Sequence, residues 1–142
     1  MLIKQISVFL ENKAGKLSDV INTIGENGID IYALSIADTT DYGIIRLIVN
    51  DPEKAREVLS EQGMIVKRTE VLGVIIEDKP GGLVNVLDVL TKNDIGIEYI
   101  YAFIGKNEKG ATVVMKPDMM EEAQKLLSSN GFEIVSGEEL YK

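Results

Sequence analysis

The clearest signal in this chain is a pair of matching stretches, ENKAGKLSDVINTIGENGIDI at residues 11–31 and EDKPGGLVNVLDVLTKNDIGI at residues 77–97. They align without a gap, and eight positions are identical: Glu11/Glu77, Lys13/Lys79, Gly15/Gly81, Leu17/Leu83, Val20/Val86, Asn27/Asn93, Ile29/Ile95 and Ile31/Ile97. Chance would give about one identity, because even the commonest residue types make up under about a tenth of average usage. After a shift of two residues the register resumes, with Gly63 matching Gly131. The sequence therefore predicts two copies of one module, at residues 1–70 and 71–142.

Hydrophobic spacing predicts the helices of each copy. Two sets of apolar residues recur at the same helical spacing: Leu17, Val20, Ile21 and Ile24, and Leu83, Val86, Leu87 and Leu90. A second helix is expected at Asp51 and Pro52, which suit the cap and the first helical position. Pro117 and Asp118 are expected to open the equivalent helix of the second copy.

Apolar runs and alternation predict the strands that flank these helices. They lie at residues 6–10, 29–36, 44–49 and 65–68 in the first copy, and at residues 71–76, 95–104, 111–115 and 132–135 in the second. The order β-α-β-β-α-β, found twice, predicts an α+β fold of two ferredoxin-like βαββαβ sandwiches, each with both helices on one face of an antiparallel sheet. Because no Gly, Pro or Ser separates Arg68 from Val71, we expect no flexible linker and two modules that pack together.

The composition removes most enzyme chemistry. None of the 142 residues is Cys, His or Trp, so disulfides, thiolate or imidazole zinc sites, and Cys or Ser-His nucleophiles are excluded. A net charge of −8 repels a phosphate backbone, so nucleic acid is not an expected partner. No signal peptide is visible, and the apolar runs fall short of the roughly 18 residues that a membrane-spanning helix needs. We expect a cytoplasmic protein with no membrane partner, no metal or other cofactor, and no enzymatic activity.

The loops between the first strand and first helix of each copy read ENKAGKL at residues 11–17 and EDKPGGL at residues 77–83. With these loops the chain resembles the ACT domain family, whose signature at this point is an acidic or amide residue followed by x-Pro-Gly-x-Leu. The second loop matches it fully, and the first has Ala14 where the family usually has Pro. The run NGIDI at residues 27–31 also resembles the family's entry into its second strand.

The resemblance implies a non-catalytic sensor that binds a free amino acid at these loops, between ACT domains, and regulates amino-acid metabolism. The implied ligand-binding residues are Asn12, Ala14, Gly15, Lys16, Leu17, Asp30, Asp78, Pro80, Gly81, Gly82 and Leu83. In the family, a polar residue of the loop faces a polar residue at the second strand of a partner domain. Asn12 and Asp30 match those positions in the first copy, whereas the second copy has Asp78 and Gly96. We therefore expect two unequal sites.

Simpler structural roles remain open for the same residues. Gly15 and Gly81 suit a strand-to-helix turn without any ligand. Asn12 and Asp78 suit Asx turns or helix caps, which would satisfy the amides that a ligand would otherwise use. Asp30, at the start of a strand, suits a solvated surface carboxylate.

Other features indicate protein partners. Tyr99, Tyr101 and Phe103 alternate along one strand and therefore share a face, which indicates packing at a sheet or subunit interface. Open sheet edges and faces favour a homodimer. The alternative function is a regulatory or structural subunit that docks on a biosynthetic enzyme without a ligand of its own. A third possibility is a small enzyme that uses only carboxylates and lysines, but no arrangement of residues in the sequence supports it.

Overall fold

The computed structural model describes residues 2–11, 13–38, 41–105 and 108–141 of the chain. These residues divide into two compact units. The N-terminal module contains residues 4–69 together with Tyr141, and the C-terminal module contains residues 70–140 together with Leu2 and Ile3. The break at Thr69 lies beside the boundary that the repeat predicts, whereas the exchange of the chain ends is not visible in the repeat.

The N-terminal module follows the predicted order. Its elements are β1 (Ile3–Glu11), α1 (Lys16–Glu26), β2 (Ile31–Asp38), β3 (Tyr42–Val49), α2 (Pro52–Glu61) and the first part of β4 (Ile65–Ile76). Strand β3 pairs antiparallel with both β1 and β2, and its registers include Val8 opposite Ile45 and Leu34 opposite Leu47. Because alternate residues of a strand point to opposite faces, Ile45 and Leu47 lie on the face that packs against the helices.

The C-terminal module repeats this plan. It contains the second part of β4, then α3 (Gly82–Lys92), β5 (Ile97–Ala102), β6 (Ala111–Pro117), α4 (Met120–Ser129), β7 (Ile134–Val135) and α5 (Gly137–Leu140). Strand β4 pairs antiparallel with β6 and β7, and β6 pairs with β5, which gives the order β7-β4-β6-β5. This order and the helix positions confirm the predicted α+β, ferredoxin-like fold.

Each module has its own apolar core between its sheet and its two helices. The N-terminal core contains Ile6, Val8, Leu10, Val20, Ile24, Ile29, Ile45, Leu47, Val49, Ala55 and Leu59. The C-terminal core contains Leu72, Val74, Val86, Leu90, Ile95, Val113, Met115, Ala123 and Leu127. Most of these residues hold matching positions in the two copies, so the repeat in the sequence is a repeat of core packing.

Three local predictions differ from the structure. The chain between the modules is itself a strand, because β4 runs without interruption from Ile65 to Ile76. Helix α4 begins at Met120, and Asp118 lies before it as an acceptor for the backbone N–H of Gly96 at 3.2 Å, so the prediction that Pro117 and Asp118 open this helix is wrong. The short helix α5 is not among the predicted elements. Among the helices of the described residues, none is both long and apolar enough to cross a membrane.

Candidate functional site

The two loops singled out by the sequence share a turn and a left-handed glycine. Gly15 has φ 89° and ψ −16°, and Gly81 has φ 81° and ψ −1°, so both occupy the left-handed region that favours glycine. The same turn precedes each glycine: the backbone N–H of Lys13 donates to the carbonyl oxygen of Glu11 at 2.8 Å, and that of Lys79 donates to Glu77 at 3.0 Å. The loop is therefore a repeated structural unit.

An ion pair spans each turn. Lys13 Nζ lies 2.9 Å from Glu11 Oε2, and Lys79 Nζ lies 2.7 Å from Glu77 Oε2. The hydrogen bond and charge of Lys13 lower the pKa of Glu11, and those of Glu11 raise the pKa of Lys13. The predicted binding set contains none of these four residues, although all four are identities of the repeat. Their identity at both loops was the signal that could have revealed the pairs.

The helices that follow these loops begin at glycine. The N-cap residues of α1 and α3 are Gly15 and Gly81, which have no side chain to bond to the first turn. Helix α2, by contrast, is capped by Asp51, whose carboxylate accepts from the backbone N–H of Lys54 at 3.1 Å. The predicted cap at α2 is thus confirmed. The Asx-turn or cap role of Asp78 stays a prediction, and Asn12 lies outside the described residues.

A glycine N-cap offers the first turn no side-chain acceptor, although the Lys13 and Lys79 carbonyls accept from the N–H groups of Lys16 and Gly82 at 3.2 and 3.0 Å. The positive end of the helix dipole at such a helix start suits an anion. Most of the predicted binding residues in these loops are exposed: Ala14, Gly15, Leu17, Asp78, Pro80 and Gly81. Lys16 and Leu83 are half-buried. Gly82 is buried, and a Cβ atom at this position would overlap the backbone oxygen of Glu77. The loops therefore expose these residues together with the Glu11–Lys13 and Glu77–Lys79 ion pairs.

Asp30 lies far from the loop of its own module. Tyr42, the first residue of β3, pairs with Glu11, and Val49, the last residue of β3, pairs with Ile31. Seven residues of strand between those points correspond to about 23 Å. Asp30 is exposed, and its backbone exchanges hydrogen bonds with Asn50 at 3.0 and 3.1 Å. The predicted meeting of Asp30 with a loop thus needs a second module and stays a prediction.

Gly96 occupies the equivalent place in the C-terminal module. Its N–H donates to both carboxylate oxygens of Asp118 at 3.2 Å, and its carbonyl accepts from the N–H of Asp118 at 3.0 Å. Gly96 has no side chain to offer, so the two modules differ at this position as the sequence predicts.

A cleft lies beside each loop, at equivalent places in the two modules. The N-terminal cleft has a volume of about 690 Å³ and runs along α1. It is lined by Phe9, Leu10, Glu11, Lys16, Asp19, Asn22, Thr23, Glu26, Tyr42, Gln62, Gly63, Met64 and Ile65. The C-terminal cleft has a volume of about 280 Å³ and is lined by Ile75, Ile76, Glu77, Gly82, Asn85, Lys109, Gly131, Phe132 and Glu133.

The clefts share few residues with the predicted binding set. Lys16 and Gly82 line a cleft, whereas the other predicted residues that the structure describes are absent from both linings. The predicted set lacks the polar side chains on the cleft face of α1, among them Asp19, Thr23 and Glu26. Their spacing of about one to three helical turns from Lys16 was an available signal, since it places them on one side of the helix.

The aromatic row lies on the sheet face opposite the helices of its module. Tyr101 is paired with Val114, whose neighbours Val113 and Met115 belong to the helix-covered core. The rings of Tyr99 and Tyr101 are half-buried and stack with their centroids 6.4 Å apart. The predicted face is therefore present, and its role as an interface stays a prediction.

Metal-binding chemistry needs several ligating side chains at one place. In the part of the chain that the structure describes, no group of three or more carboxylate, imidazole or thiol side chains is arranged to hold a metal ion.

Comparisons with known proteins place this geometry in a family. The sequence profile of the ACT domain pair matches residues 1–142. A protein from Bacteroides thetaiotaomicron of known crystal structure is 37% identical and superposes with a TM-score of 0.91, covering 100% of this chain and 97% of that one. No curated protein sequence matches the chain.

Two regulatory subunits are further structural neighbours. The regulatory subunit of aspartate kinase from Thermus thermophilus, in a ligand-free form, is 15% identical, with a TM-score of 0.66 over 92% of this chain and 94% of that one. The regulatory subunit of aspartate kinase from Thermus flavus is 16% identical, with a TM-score of 0.61 and 91% of each chain covered. At these identities the likeness extends to the fold alone. The profile match over the full length shows that this chain belongs to the ACT domain pair family.

Proposed function

We propose that the chain is a cytoplasmic, non-catalytic sensor that binds a free amino acid at the β1–α1 and β4–α3 loops and regulates amino-acid metabolism. ACT domains are regulatory modules, and their presence over the whole chain supports a sensor in preference to an enzyme. The observation that carries the proposal is the repeated loop that leads into a helix with a glycine N-cap, found at Gly15 and Gly81.

The chemistry of the loop suits the carboxylate of an amino acid. A carboxylate placed at the start of α1 would accept from first-turn N–H groups, to which Gly15 offers no side-chain acceptor. Lys16 is the first residue of α1 and lines the cleft, and its ammonium group offers a second contact to the carboxylate. Glu11 lines the same cleft, and its carboxylate, whose pKa Lys13 lowers, offers an acceptor for the ligand's ammonium group.

The direct test is thermal unfolding of the purified chain in the presence of each common amino acid. A ligand at 100 times its dissociation constant stabilises the folded state by about 2.7 kcal/mol, which gives a clear rise in melting temperature. Lys16→Met should raise, at least tenfold, the amino-acid concentration that is needed for the same rise in melting temperature. Lys54→Met, an exposed lysine on α2, is the matched control and should leave it unchanged. If no amino acid raises the melting temperature, the proposal fails.

A second candidate function is a docking subunit for a biosynthetic enzyme, the alternative that the sequence leaves open. The observation that favours it is exposed apolar surface on the outer strands: Leu34 and Ile36 on β2 are 36% and 50% exposed, and Ile100 on β5 is 37% exposed. The structural neighbours that are aspartate kinase subunits give this candidate a precedent in the fold. Light scattering after size-exclusion chromatography tests the expected homodimer. Purification of a stable enzyme complex without any amino-acid effect would favour docking over sensing.

A further inference from the structure

Two asparagines of the chain, Asn27 and Asn130, are followed by glycine. In this sequence the asparagine side chain is reactive, because glycine has no side chain to hinder attack by its own backbone nitrogen. A bond forms between the glycine nitrogen and the asparagine Cγ, the bond from Cγ to Nδ2 breaks, and ammonia leaves with the proton of the glycine nitrogen. Water then opens the cyclic imide to aspartate or isoaspartate. The chain therefore carries two candidate sites of deamidation.

Both asparagines are C-cap residues of helices. Asn27 ends α1 with φ −95° and ψ 12°, and Asn130 ends α4 with φ −94° and ψ 13°. The glycines that follow them, Gly28 and Gly131, have φ of 70° and 86°, the left-handed conformation that ends many helices. The backbone thus favours glycine at these two positions, and this requirement places each reactive pair at a helix end, one in each module.

Hydrogen bonds hold both of the groups that take part in the reaction. Nδ2 of each asparagine donates to the carbonyl oxygen four residues earlier at 2.7 Å, so the side-chain amide is directed back along its own helix. The backbone N–H of each following glycine donates to the carbonyl oxygen three residues earlier at 3.1 Å. Attack of the glycine nitrogen on Cγ requires this N–H to lose its proton and the side-chain amide to turn away from the helix. The native cap therefore opposes deamidation.

Buried side chains keep each cap closed. Ile24 is fully buried in the last turn of α1, and its carbonyl oxygen accepts from the N–H of the buried Ile29 at 3.2 Å. At the end of α4, Leu127 is fully buried, and its carbonyl oxygen accepts from the N–H of the half-buried Phe132 at 3.0 Å. Opening of either helix end therefore exposes apolar surface, which adds to the cost of breaking the hydrogen bonds.

We propose that Asn27 and Asn130 are deamidation sites that the native caps protect, and that each becomes reactive when its own helix end opens. The product weakens the cap that protected it, because aspartate lacks the Nδ2 donor. It also adds a negative charge at the C-terminal end of a helix, where the helix dipole disfavours an anion. Deamidation at each site thus records past opening of that helix end.

Incubation of the full chain in mildly alkaline heavy-oxygen water, with and without denaturing urea, tests the protection. Hydrolysis of the imide adds one heavy oxygen atom, which mass spectrometry of peptides locates after digestion in ordinary water. Asn27 and Asn130 should deamidate about tenfold or more slowly in the folded chain than in urea. Asn93, the C-cap residue of α3, precedes Asp94 and is the internal control, which should react slowly in both conditions. Equal rates at Asn27 and Asn130 with and without urea would overturn the proposal.

Two reciprocal variants test release by the helix's own end. Ile24→Ala should raise the rate at Asn27 about fivefold or more over the rate at Asn130, because truncation of a buried side chain destabilises its surroundings. Leu127→Ala should have the reverse preference. Circular dichroism checks that both variants are folded, and Ile24→Val or Leu127→Val replaces one that is not. Equal acceleration of both sites in each variant would assign release to unfolding of the whole chain and overturn the proposal.

Discussion

Gly15 has a backbone conformation that only glycine adopts without strain, yet the space around it is empty. Its φ is +89°, and a Cβ atom built there would meet no atom within 4 Å. The cost of a side chain at this position is therefore a backbone cost alone. A Cβ atom at Gly25, near the end of α1, would also meet no atom within 4 Å, but Gly25 has an ordinary helical conformation.

This pair gives a matched prediction. Gly15→Ala should lower the free energy of unfolding of the N-terminal module by about 1–2 kcal/mol, because the left-handed region disfavours a Cβ atom. Gly25→Ala should raise it by about 0.5–1 kcal/mol, because alanine loses less conformational entropy in a helix. Urea denaturation followed by circular dichroism measures both changes. Equal effects of the two substitutions would contradict the backbone explanation.

At Gly82, unlike Gly15, the surrounding atoms and not the backbone conformation exclude a side chain. Its backbone is unstrained, but a Cβ atom would overlap the carbonyl oxygen of Glu77. We expect Gly82→Ala to lower the free energy of unfolding of the C-terminal module by about 1–3 kcal/mol, the usual cost of overpacking. Lys16→Ala, at the equivalent position of α1, is the control and should change stability little. A neutral Gly82→Ala substitution would show that the loop relaxes without cost.

The sequence predicts the first of these glycines and not the second, for a physical reason. Gly15 and Gly81 recur at the same point of the repeat, so a shared conformational requirement is visible in the letters alone. Gly82 aligns with Lys16 in the repeat, so the two copies do not share a glycine there. The crowding at Gly82 depends on its distance to the carbonyl oxygen of Glu77, which only the folded loop defines. The clefts escape prediction for the same reason, because each gathers residues from a strand, a helix and a distant turn.

At the scale of elements, the equivalent helices α2 and α4 differ at their starts, because α2 has a side-chain cap and α4 does not. Asp51 and Met119 hold the same N-cap position with nearly the same backbone, φ −141° and ψ 84° against φ −128° and ψ 82°. Only Asp51 supplies a side-chain acceptor. The sequence predicts α2 correctly because Asp precedes Pro, so the cap stands before the first helical residue. In Pro117-Asp118 the order is reversed, proline ends β6, and Asp118 bonds to Gly96 instead.

A cap can therefore be added to α4 by one substitution. Met119→Ser should be more stable than Met119→Ala by about 1 kcal/mol, because a serine oxygen accepts from a first-turn N–H that alanine leaves unbonded. Comparison with alanine cancels the lost contacts of the methionine side chain, which is 43% exposed. Asp51→Ala should lose about the same amount at α2. Thermal unfolding of the three variants measures these differences, and identical stabilities of the serine and alanine variants would contradict the prediction.

At the scale of the whole molecule, the two modules exchange the ends of the chain. Ile3 belongs to the C-terminal module, and Tyr141 belongs to the N-terminal module. Ile3 is fully buried in the C-terminal module, where its Cδ1 atom fills the space beside Gly73. Tyr141 belongs to the N-terminal module, and its hydroxyl accepts a hydrogen bond from the backbone N–H of Lys4 at 2.9 Å. The repeat predicts the two modules and their cores but not this exchange, because the contacts join residues at the ends of the sequence that no periodicity relates.

The bond to Tyr141 predicts a measurable contribution to stability. Tyr141→Phe leaves the half-buried N–H of Lys4 without its acceptor while keeping the aromatic ring. The free energy of unfolding should fall by about 0.5–1.5 kcal/mol, the usual net value of one hydrogen bond. Chemical denaturation at neutral pH measures it. Unchanged stability would show that water replaces the hydroxyl.

The same residue predicts a dependence on alkaline pH. Burial raises the pKa of the Tyr141 hydroxyl because it disfavours the phenolate, and the hydrogen bond from Lys4 offsets part of that effect. In the unfolded chain the hydroxyl ionises near pH 10, so above that value the unfolded state binds fewer protons than the folded state. The stability from this group is thus fully present below about pH 10 and is lost as the pH rises through the folded pKa. Melting temperatures measured from pH 8 to 11 should fall more steeply for the wild-type chain than for Tyr141→Phe, and parallel curves would mean that Tyr141 ionises equally easily in both states.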